Sequence, residues 1–386
     1  MTTVLVLGAS IWQVPLMDAA RRLGLTVAAT DRDPRAAGAS AADHFAPVDL
    51  RDIPGTIAYA RQLGVAAVAT DQTDIAVPTQ AAVAAALGLR GPSPETALNA
   101  THKRRMRELS SAAGILNPGW VALRSGVGLP LQWADPSRPA AIVKPADSMG
   151  SRGVQVVEDL NHFEGAVRAA LGYSPSGEAL VEEFLEGTEV TIEGLVDAEG
   201  PKVLAISEKR HSPPPHRTAW HLNFPPRMDA ATLGAIRDAA VRTAAALGIT
   251  SGPLHGEFMV TGRGVYLIEM ANRGGGSGTS SHIVPAATGV DLLELNWRQL
   301  LGETAVATPT CDRAVILRFL NYPAGAVTRI EGAEEAAALP GTVLLRLNIS
   351  EGDHLGAVTN DTQRHGCAIV VGDTLDDAEA ALGAVQ

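Results

Sequence analysis

The first quarter of the chain alternates short apolar runs with amphipathic stretches. Residues 3–7 form a β-rich apolar run that stops at Gly8, an amphipathic stretch follows from about 13 to 23, and a second apolar run covers 26–30. Strands that alternate with helical patterns favour a parallel sheet covered by helices. Because the alternation continues to residue 87, we expect a β-α-β opening and a parallel sheet of about four strands.

The first loop gives little support to a dinucleotide site. Asp31 stands just past the second apolar run, where a Rossmann unit binds a ribose. The loop itself is Gly8-Ala9-Ser10, with one glycine instead of the three of G-x-G-x-x-G. A nicotinamide-dependent oxidoreductase is therefore a poorly supported alternative.

After the predicted parallel sheet, the sequence predicts first a helix and then a series of short strands. Ser93 and Pro94 are typical of an N-cap followed by a proline in the first helical turn, and they predict one helix that runs through Lys103 towards Ala113. From about residue 118 the chain turns to short strands separated by glycine-rich turns, which indicates a second kind of domain.

A predicted strand at residues 141–144 ends in Lys144 and is followed by a loop of small residues. The loop, Ser148-Met149-Gly150-Ser151-Arg152-Gly153, leads directly into a second strand at 154–157. Because glycines let backbone N–H groups approach phosphate oxygens closely, the segment is either a flap over an anion or an ordinary hairpin turn. It is not a Walker A loop, since its lysine precedes the glycines.

A polar hinge separates the next two predicted strands. The apolar run 179–181 ends at Glu182-Glu183-Phe184-Leu185, and an alternating strand follows at 190–196. Such a hinge can present backbone N–H and C=O groups to an adenine edge, while a carboxylate further on takes ribose hydroxyls. A plain polar turn is the alternative.

Two glutamates are embedded in apolar, strand-like runs. Glu257 and Glu269 stand on either side of a short turn at 261–264. On a hairpin, two buried carboxylates repel each other and lose hydration, so each needs a cation to stay ionised. Magnesium meets that need, because it prefers oxygen ligands and bridges carboxylates to nucleotide phosphates. A salt bridge to Arg263 or Arg273 is the structural alternative.

Composition narrows the classes of function. Of the 386 residues, 46% are hydrophobic and 19% charged, and no apolar run approaches the ~18 residues of a membrane span. We expect about two or three domains, and the net charge of −11 argues against a general nucleic-acid surface. Cys311 and Cys367 are too few for a disulfide scaffold, and the N-terminus lacks the basic region of a signal peptide, so we expect a cytoplasmic location.

Taken in order, these motifs resemble the ATP-grasp superfamily. The resemblance covers about residues 1–305 and is carried by an ordered set: Lys103, Ile142-Val143-Lys144-Pro145 with its flap, the segment 181–189, Glu257, Glu269 and Arg273. The tail resembles the C-terminal domain of the L-amino acid ligase branch, itself similar to biotin carboxylase, in Gly325-Ala326-Val327, Pro340-Gly341-Thr342, Gly352-Asp353, Arg364-His365-Gly366 and Gly372-Asp373-Thr374.

The resemblance implies an α/β ATP-grasp fold with three parts. These are a Rossmann-like pre-ATP-grasp domain at 1–95, an ATP-grasp domain at 96–305, and a small C-terminal α+β domain at 306–386. Within the ATP-grasp domain, a lid subdomain is expected at about 118–185 and a central subdomain at about 186–305.

The resemblance also implies roles for individual residues. Lys103 and Lys144 would contact nucleotide phosphates, and Arg273 would grip the transferred phosphate or the carboxylate being activated, because its planar fork suits both. Glu257 and Glu269 would hold two magnesium ions. Further nucleotide contacts are implied for the flap and the hinge, namely Ser148, Gly150, Ser151, Gly153, Glu182, Glu183, Phe184 and Leu185, with Glu189 on the ribose.

One position departs from the family pattern. Many members have an asparagine two residues after the second metal glutamate, where this chain has Ala271, and Asn272 follows one step later. Asn272 is therefore the candidate for the third metal contact, although strand alternation turns it to the face opposite Glu269.

Two further segments suit the substrates. The loop at 208–217 contains three prolines, and its side chains Lys209, Arg210 and His211 are candidates for the acceptor site, with a solvated loop as the alternative. The glycine-rich run 274–282 follows the predicted catalytic arginine directly, and it either binds a substrate carboxylate through backbone N–H groups or serves as a flexible linker.

The resemblance implies an ATP-dependent carboxylate-amine ligase that forms an amide through an acyl phosphate and releases ADP and phosphate. ATP and Mg²⁺, with Mn²⁺ as a substitute, are the expected cofactors. Amino acids are the expected substrates and a homodimer the expected assembly, without nucleic-acid or membrane partners. The alternative is a bicarbonate-activating carboxylase of the biotin carboxylase or aminoimidazole ribonucleotide carboxylase type. The Gln-Val-Glu-His run of biotin carboxylase is replaced here by Gly274-Gly275-Gly276, which weighs against it.

Overall fold

A computed structural model describes residues 1–124, 141–213 and 218–385. The described residues form a four-stranded parallel sheet, a four-stranded antiparallel sheet, an eight-stranded sheet and a two-stranded ribbon. None of the helices in these ranges has the length and apolar character to cross a membrane.

The N-terminal segment is a parallel sheet covered by helices, which confirms the predicted β-α-β opening. Its elements are β1 (Thr3–Leu7), α1 (Val14–Arg22), β2 (Thr26–Thr30), β3 (His44–Ala46), α2 (Ile53–Leu63), β4 (Ala67–Ala69) and α3 (Val77–Leu87). The strand order is β3-β2-β1-β4. Asp31 accepts hydrogen bonds from the N–H groups of Ala9 and Asp33, both at 3.0 Å, so its carboxylate braces the chain's own loops.

Two short helices follow where the sequence predicts one. Helix α4 (Pro94–Asn99) begins at the predicted cap, Ser93, and α5 (Lys103–Ala112) starts three residues after α4 ends. The N–H of Lys103 donates to the carbonyl of Ala146 at 2.7 Å instead of to a carbonyl four residues earlier in the chain. The prediction of one helix is therefore wrong, and the break places Lys103 beside the flap strand.

The lid subdomain is an antiparallel sheet with one covering helix. Its elements are β5 (Trp120–Arg124), β6 (Ala141–Pro145), β7 (Gln155–Val157), α6 (Phe163–Gly172) and β8 (Glu178–Glu183). The strand order is β5-β8-β6-β7. Strand β6 contains Lys144, and β7, which follows the glycine loop, pairs with it in the antiparallel direction, as predicted. Residues 125–140 of the predicted lid lie outside the described residues.

The remaining strands form one sheet of eight. The elements before residue 305 are β9 (Thr188–Asp197), β10 (Gly200–His211), β11 (Ala219–Phe224), α7 (Ala230–Ala246), β12 (Gly252–Thr261), β13 (Gly264–Ala271), α8 (Val284–Thr288) and α9 (Leu292–Leu300). Those after it are β14 (Ala314–Leu320), β15 (Gly325–Ala326), α10 (Ala333–Ala337), β16 (Thr342–Leu347), β17 (His354–Leu355), β18 (Gly366–Gly372) and α11 (Leu375–Val385). The order β13-β12-β9-β10-β11-β14-β18-β16 crosses the predicted boundary at 305 without a break.

Shared cores join these parts. Leu195 and Phe224 from the central strands pack in one buried cluster with Val315 and Ile369 from the C-terminal strands. Trp297 of α9 is fully buried among N-terminal residues, and its indole N–H donates to the carbonyl of Leu16 at 2.9 Å. The N-terminal domain thus packs against α9, and the C-terminal strands share a core with the central strands.

Candidate functional site

A cavity of about 510 Å³ lies where the N-terminal domain, the lid and the eight-stranded sheet meet. Its wall includes Lys103, Lys144, Glu257 and Glu269, the four residues from which the phosphate and metal sites are predicted. Other predicted site residues in the wall are Ser148, Gly150, Ser151, Glu189, Lys209, His211 and Arg273. Residues far apart in the chain therefore converge on a space that suits small-molecule ligands.

Glu257 and Glu269 lie directly opposite each other on β12 and β13, and a bulge follows Glu257. Opposed residues of an antiparallel pair share a face of the sheet and stand close together. Each carboxylate has an ammonium partner: Nζ of Lys209 lies 2.7 Å from Glu257 Oε1, and Nζ of Lys103 lies 2.8 Å from Glu269 Oε1. The pair therefore has the geometry of a two-carboxylate cation site.

The arginines that sequence reasoning offered as salt-bridge partners bind elsewhere. Arg263 pairs with Glu183 at 2.6 Å, and Arg273 pairs with Asp74 through Nε and Nη2 at 2.8 and 2.9 Å. Lysines that are distant in sequence hold the carboxylate pair instead.

Lysine charges keep the carboxylates of the cavity ionised. Burial alone raises the pKa of Glu257, but the charges of Lys209 and His255 hold it well below its ordinary value. Burial likewise opposes the ionisation of Glu189, and Lys209 and His211 lower its pKa to about 2. Ionised carboxylates at neutral pH are what a divalent cation requires.

The loop after β6 contains three residues with positive φ values. Gly150, Ser151 and Gly153 all have positive φ values, of 68°, 57° and 73°. The hydroxyl of Ser148 is buried and has no hydrogen-bond partner among the described residues, and its carbonyl accepts from Nζ of Lys103 at 2.9 Å. Two consecutive residues with positive φ also occur in a type I′ hairpin turn, so a flap that covers an anion stays a prediction beside the ordinary turn.

Lys144 lies at the end of a buried ionic chain. Its Nζ is 2.6 Å from Glu182 Oε2, and Glu182 in turn accepts from Nε of Arg107 at 2.9 Å. Glu182 and Arg107 are almost fully buried. Burial lowers the pKa of Lys144, while Glu182 opposes that shift. The Glu182 carboxylate thus orients Lys144 towards the cavity.

The hinge begins two residues later than the sequence predicts. Strand β8 continues through Glu183, and Glu182 sits inside the sheet between Trp120 of β5 and Ile142 of β6. Leu185 is buried in a small apolar cluster with Met259 and Tyr266. The adenine contacts of Glu182, Glu183, Phe184 and Leu185 stay predictions.

The glycine-rich run after Arg273 is anchored, which argues against a flexible linker. The N–H of Gly275 donates to Glu193 Oε2 and that of Gly278 to Gln72 Oε1, both at 3.0 Å. A Cβ atom at Gly275 would lie 2.1 Å from Glu193 Oε1. These two N–H groups therefore have protein acceptors, and the binding of a substrate carboxylate by other N–H groups of the run stays a prediction.

His255 lies between Glu193, which binds the glycine-rich run, and Glu257 of the carboxylate pair. Its Nδ1 lies 2.6 Å from Glu193 Oε1, and its Nε2 lies 3.7 Å from Glu257 Oε1. Burial lowers the pKa of His255, but Glu193 and Glu257 outweigh burial and raise it to about 9. The residue is a cation in the wall of the cavity at neutral pH.

Strand alternation divides the predicted acceptor residues. Strand β10 extends to His211, and the side chains of Lys209 and His211 both reach Glu189, at 2.8 and 3.3 Å. Arg210 points to the other face, is about half exposed and pairs with Glu208. The prediction for Arg210 is corrected accordingly, because successive side chains of a strand alternate. Residues 214–217 of the predicted loop lie outside the described residues.

Asn272 does not join the carboxylate pair. Its Nδ2 donates to the carbonyls of Ser251 and Pro253 at 3.1 and 3.0 Å, and its side chain is absent from the cavity wall described here. The predicted metal contact is corrected on this ground, and the alternation of β13 that turned Asn272 away from Glu269 is the physical reason.

Several residues in the cavity wall or bonded to it were not predicted from the sequence. Three of them follow β4 closely and bind the segment 273–280. Asp74 pairs with Arg273, and Gln72 accepts from the N–H of Gly278. Asp71 accepts from Oγ of Ser280 at 2.7 Å. Polar residues at the carboxyl end of a parallel strand are a recognisable signal, because ligand sites of open α/β sheets gather there. Glu193 and Arg107 lie within ordinary helix or strand patterns and offered no comparable signal.

Two segments of the chain match known domain families. Residues 138–281 match the ATP-grasp domain, and residues 318–386 match L-amino acid ligase C-terminal domain 2. An uncharacterized protein, y4rH of Sinorhizobium fredii, is 27% identical over 376 residues, which are 95% of this chain and 77% of that protein.

Solved structures share the fold over the whole chain. The L-amino acid ligase from Bacillus licheniformis has a TM-score of 0.84 at 23% identity and covers 100% of this chain and 97% of its own. The biotin carboxylase domain of Hydrogenobacter thermophilus 2-oxoglutarate carboxylase, in complex with MgADP, ADP and bicarbonate, has a TM-score of 0.77 at 17% identity, over 99% of this chain and 88% of its own. The predicted α/β ATP-grasp fold is confirmed. The chain combines an ATP-grasp domain with a C-terminal domain of the L-amino acid ligase type.

Proposed function

We propose that the protein is an ATP-dependent ligase that joins a carboxylate to an amine through an acyl phosphate, with amino acids as substrates. The observation that carries the proposal is the convergence of Lys103, Lys144, the opposed glutamates and Arg273 on one cavity. The match of the tail to an L-amino acid ligase domain supports an amine acceptor over bicarbonate.

The carboxylate pair fits Mg²⁺. Glu257 and Glu269 present oxygen ligands from opposite positions, and the described residues contain no cluster of three or more acidic, histidine or cysteine ligands that would form an all-protein cage. Mg²⁺ is typically held by one or two carboxylates, with substrate phosphates and waters completing its shell. When bound, the ion neutralises charge on the phosphoryl oxygens. We propose that Mn²⁺ can replace it, since it prefers similar ligands.

The chain's own residues account for binding and orientation. Lys103 and Lys144 place ammonium groups where nucleotide phosphates would lie, and the flap adds backbone N–H groups. The bidentate bond to Asp74 holds the guanidinium of Arg273 at the cavity wall, where it orients the substrate carboxylate.

Two steps then follow. A carboxylate oxygen forms a bond to the γ-phosphorus as the bond to the β-phosphate oxygen breaks, which gives an acyl phosphate and ADP. The amine nitrogen next bonds to the acyl carbon as the carbon–oxygen bond to phosphate breaks, and the amine releases its proton. Closure of the lid protects the intermediate from water.

An ADP-release assay tests the proposal. The full chain is incubated with Mg-ATP and with pairs of amino acids, small acids and bicarbonate, and products are identified by mass spectrometry. We expect ADP only when a carboxylate and an amine are both present, together with a product of their summed mass less one water. ADP release that depends on bicarbonate would identify a carboxylase instead. No release with any combination would refute both functions.

A further inference from the structure

Arg364, on the C-terminal wall of the cavity, uses only part of its hydrogen-bonding capacity. It lies just before β18, and its side chain is 10% exposed. Nη2 donates to Asp361 Oδ1 at 2.7 Å, and the guanidinium carbon lies 3.5 Å from the centre of the Phe319 ring. Nε is buried and has no hydrogen-bond partner among the described residues.

The guanidinium of Arg364 needs a hydrogen-bond acceptor in addition to Asp361. Arginine stays charged at any accessible pH, so it cannot escape burial by losing a proton. A buried charged donor without an acceptor is costly. The Phe319 ring covers one face of the guanidinium and Asp361 takes one end of its fork, so the remaining N–H groups are left for a ligand that enters from the cavity. A planar carboxylate matches the fork best.

The other cations of the cavity already have partners or proposed ligands. Arg273 is held by Asp74 and is assigned to the carboxylate that becomes activated, while Lys103 and Lys144 are assigned to the nucleotide. Arg364 is carried by the C-terminal part of the chain and lies in the same cavity wall. It has no role in the proposed binding of the nucleotide or of the first carboxylate, so we assign it to the second substrate.

The position of this wall suits an acceptor. Oγ of Ser151, in the flap, donates to Asp361 Oδ2 at 3.4 Å, so the turn that carries Arg364 touches the segment predicted to cover the phosphates. Burial lowers the pKa of Arg364, and the charges of Asp361 and Glu257 oppose that shift, which puts Arg364 within electrostatic reach of the carboxylate pair.

We infer that Arg364 binds the carboxylate of the amine substrate. The acceptor is then an amino acid or another amine that carries a carboxylate, and the C-terminal domain selects it. This inference rests on the ligase function proposed above and names the substrate class of its second step.

The test compares Arg364→Gln with a matched control, Arg318→Gln. Arg318 also stacks on an aromatic ring of the same region, 4.6 Å from the centre of Trp220, but is not part of this cavity wall. Each protein is assayed with the twenty common L-amino acids as acceptors and with their carboxamides, at a saturating concentration of the best donor acid. Thermal melting establishes that each variant is folded, and Arg364→Lys provides a second variant that keeps the charge.

We expect Arg364→Gln to raise the KM for the acid form of the acceptor about 10- to 100-fold, as for loss of a charge-assisted hydrogen bond, and to leave the KM for the carboxamide unchanged. Arg364→Lys should fall between wild type and Arg364→Gln, and Arg318→Gln should match wild type. An equal change for acid and carboxamide, or none, overturns the inference while the ligase function stands.

A binding measurement separates this inference from the reaction. The Nε–H signal of Arg364 is assigned in ¹⁵N-labelled, ADP-loaded protein by its loss in Arg364→Gln. We expect the signal to move when the preferred L-amino acid is added and to stay in place with the carboxamide. A signal that no amino acid of the panel moves overturns the inference, whatever the assay shows. An absence of any ligation in the assay overturns the proposed function instead.

Discussion

Two lysines connect the carboxylate pair to the segments around it. Lys103 bonds Glu269 and the carbonyl of Ser148, and Lys209 bonds Glu257 and Glu189. Both ammonium groups have raised pKa values, because their carboxylate partners outweigh the effect of burial. Each lysine therefore stays charged and balances one carboxylate.

Removing one carboxylate of the pair should stop catalysis without unfolding the chain. We expect Glu269→Gln to lower kcat by about 10²-fold or more, as for other electrostatic contacts to a transition state. The control is Glu199→Gln, because Glu199 also pairs with a lysine, Lys202, but is mostly exposed. ADP release and thermal melting measure the two effects. Wild-type turnover in Glu269→Gln would refute the metal assignment.

Asp71 should make the folded chain less stable as the pH rises from about 4 to 7. Burial raises its pKa to about 6, although Ser280 and Gln72 donate hydrogen bonds to it. The folded chain then holds a proton on Asp71 that the unfolded chain loses near pH 4, so the contribution to stability is lost as pH rises towards 6. Two pKa units correspond to about 3 kcal/mol.

Urea unfolding of wild type and Asp71→Asn between pH 4 and 7 measures this effect. We expect the stability of wild type relative to the variant to fall by about 3 kcal/mol across that window. Parallel pH profiles for the two proteins would contradict the raised pKa of Asp71.

Among the elements, the flap depends on one crowded glycine. Gly153 has a φ of 73°, and a Cβ atom there would lie 2.8 Å from the Tyr173 ring and 3.1 Å from Pro145. We expect Gly153→Ala to raise the KM for ATP about 10-fold, since strain of about 1–2 kcal/mol displaces the loop. Gly172→Ala, at the end of α6 with no atom within 4 Å, is the control and should leave the KM unchanged. A normal KM in Gly153→Ala would show that the flap does not cover the nucleotide.

The pattern of apolar and polar residues correctly predicted elements that depend on residues close together in the chain. The alternation in the first 87 residues and the strand–loop–strand around Lys144 were confirmed, and the period of a strand indicated that Asn272 faces away from Glu269. The break before Lys103 was missed because its cause is a hydrogen bond to Ala146, 43 positions later in the chain. The lysine partners of Glu257 and Glu269 and the role of Arg107 were missed for the same reason. Such contacts depend on how the sheets pack, which no local period encodes.

At the scale of the whole molecule, the eight-stranded sheet ties the C-terminal domain to the rest. Strand β14 pairs with β11 from His221 to Phe224, and buried residues on both sides share one core. The motifs of the C-terminal domain can be recognised in the sequence. Only the structure shows that this domain shares a sheet and a core with the central strands. The dimer expected from the family resemblance stays a prediction.

A fragment of residues 1–305 should not fold by itself. Removing the tail exposes the hydrogen-bonding edge of β11 and half of the shared core, which favours aggregation. We expect the fragment to lack a cooperative thermal transition by circular dichroism, and co-expression with residues 306–386 to restore one. A sharp transition in the fragment alone would contradict the shared core.

The course of this sheet has a consequence for the size of the product. Glu257 on β12 and Arg364 at the start of β18 are five strand positions apart, which in a flat sheet is about 24 Å. Intervening strands also contribute to the same chamber through Glu189, Lys209 and Phe319. Residues from strands five positions apart therefore line one chamber. We expect the spacing of these strands to limit the length of a product that lies between Glu257 and Arg364.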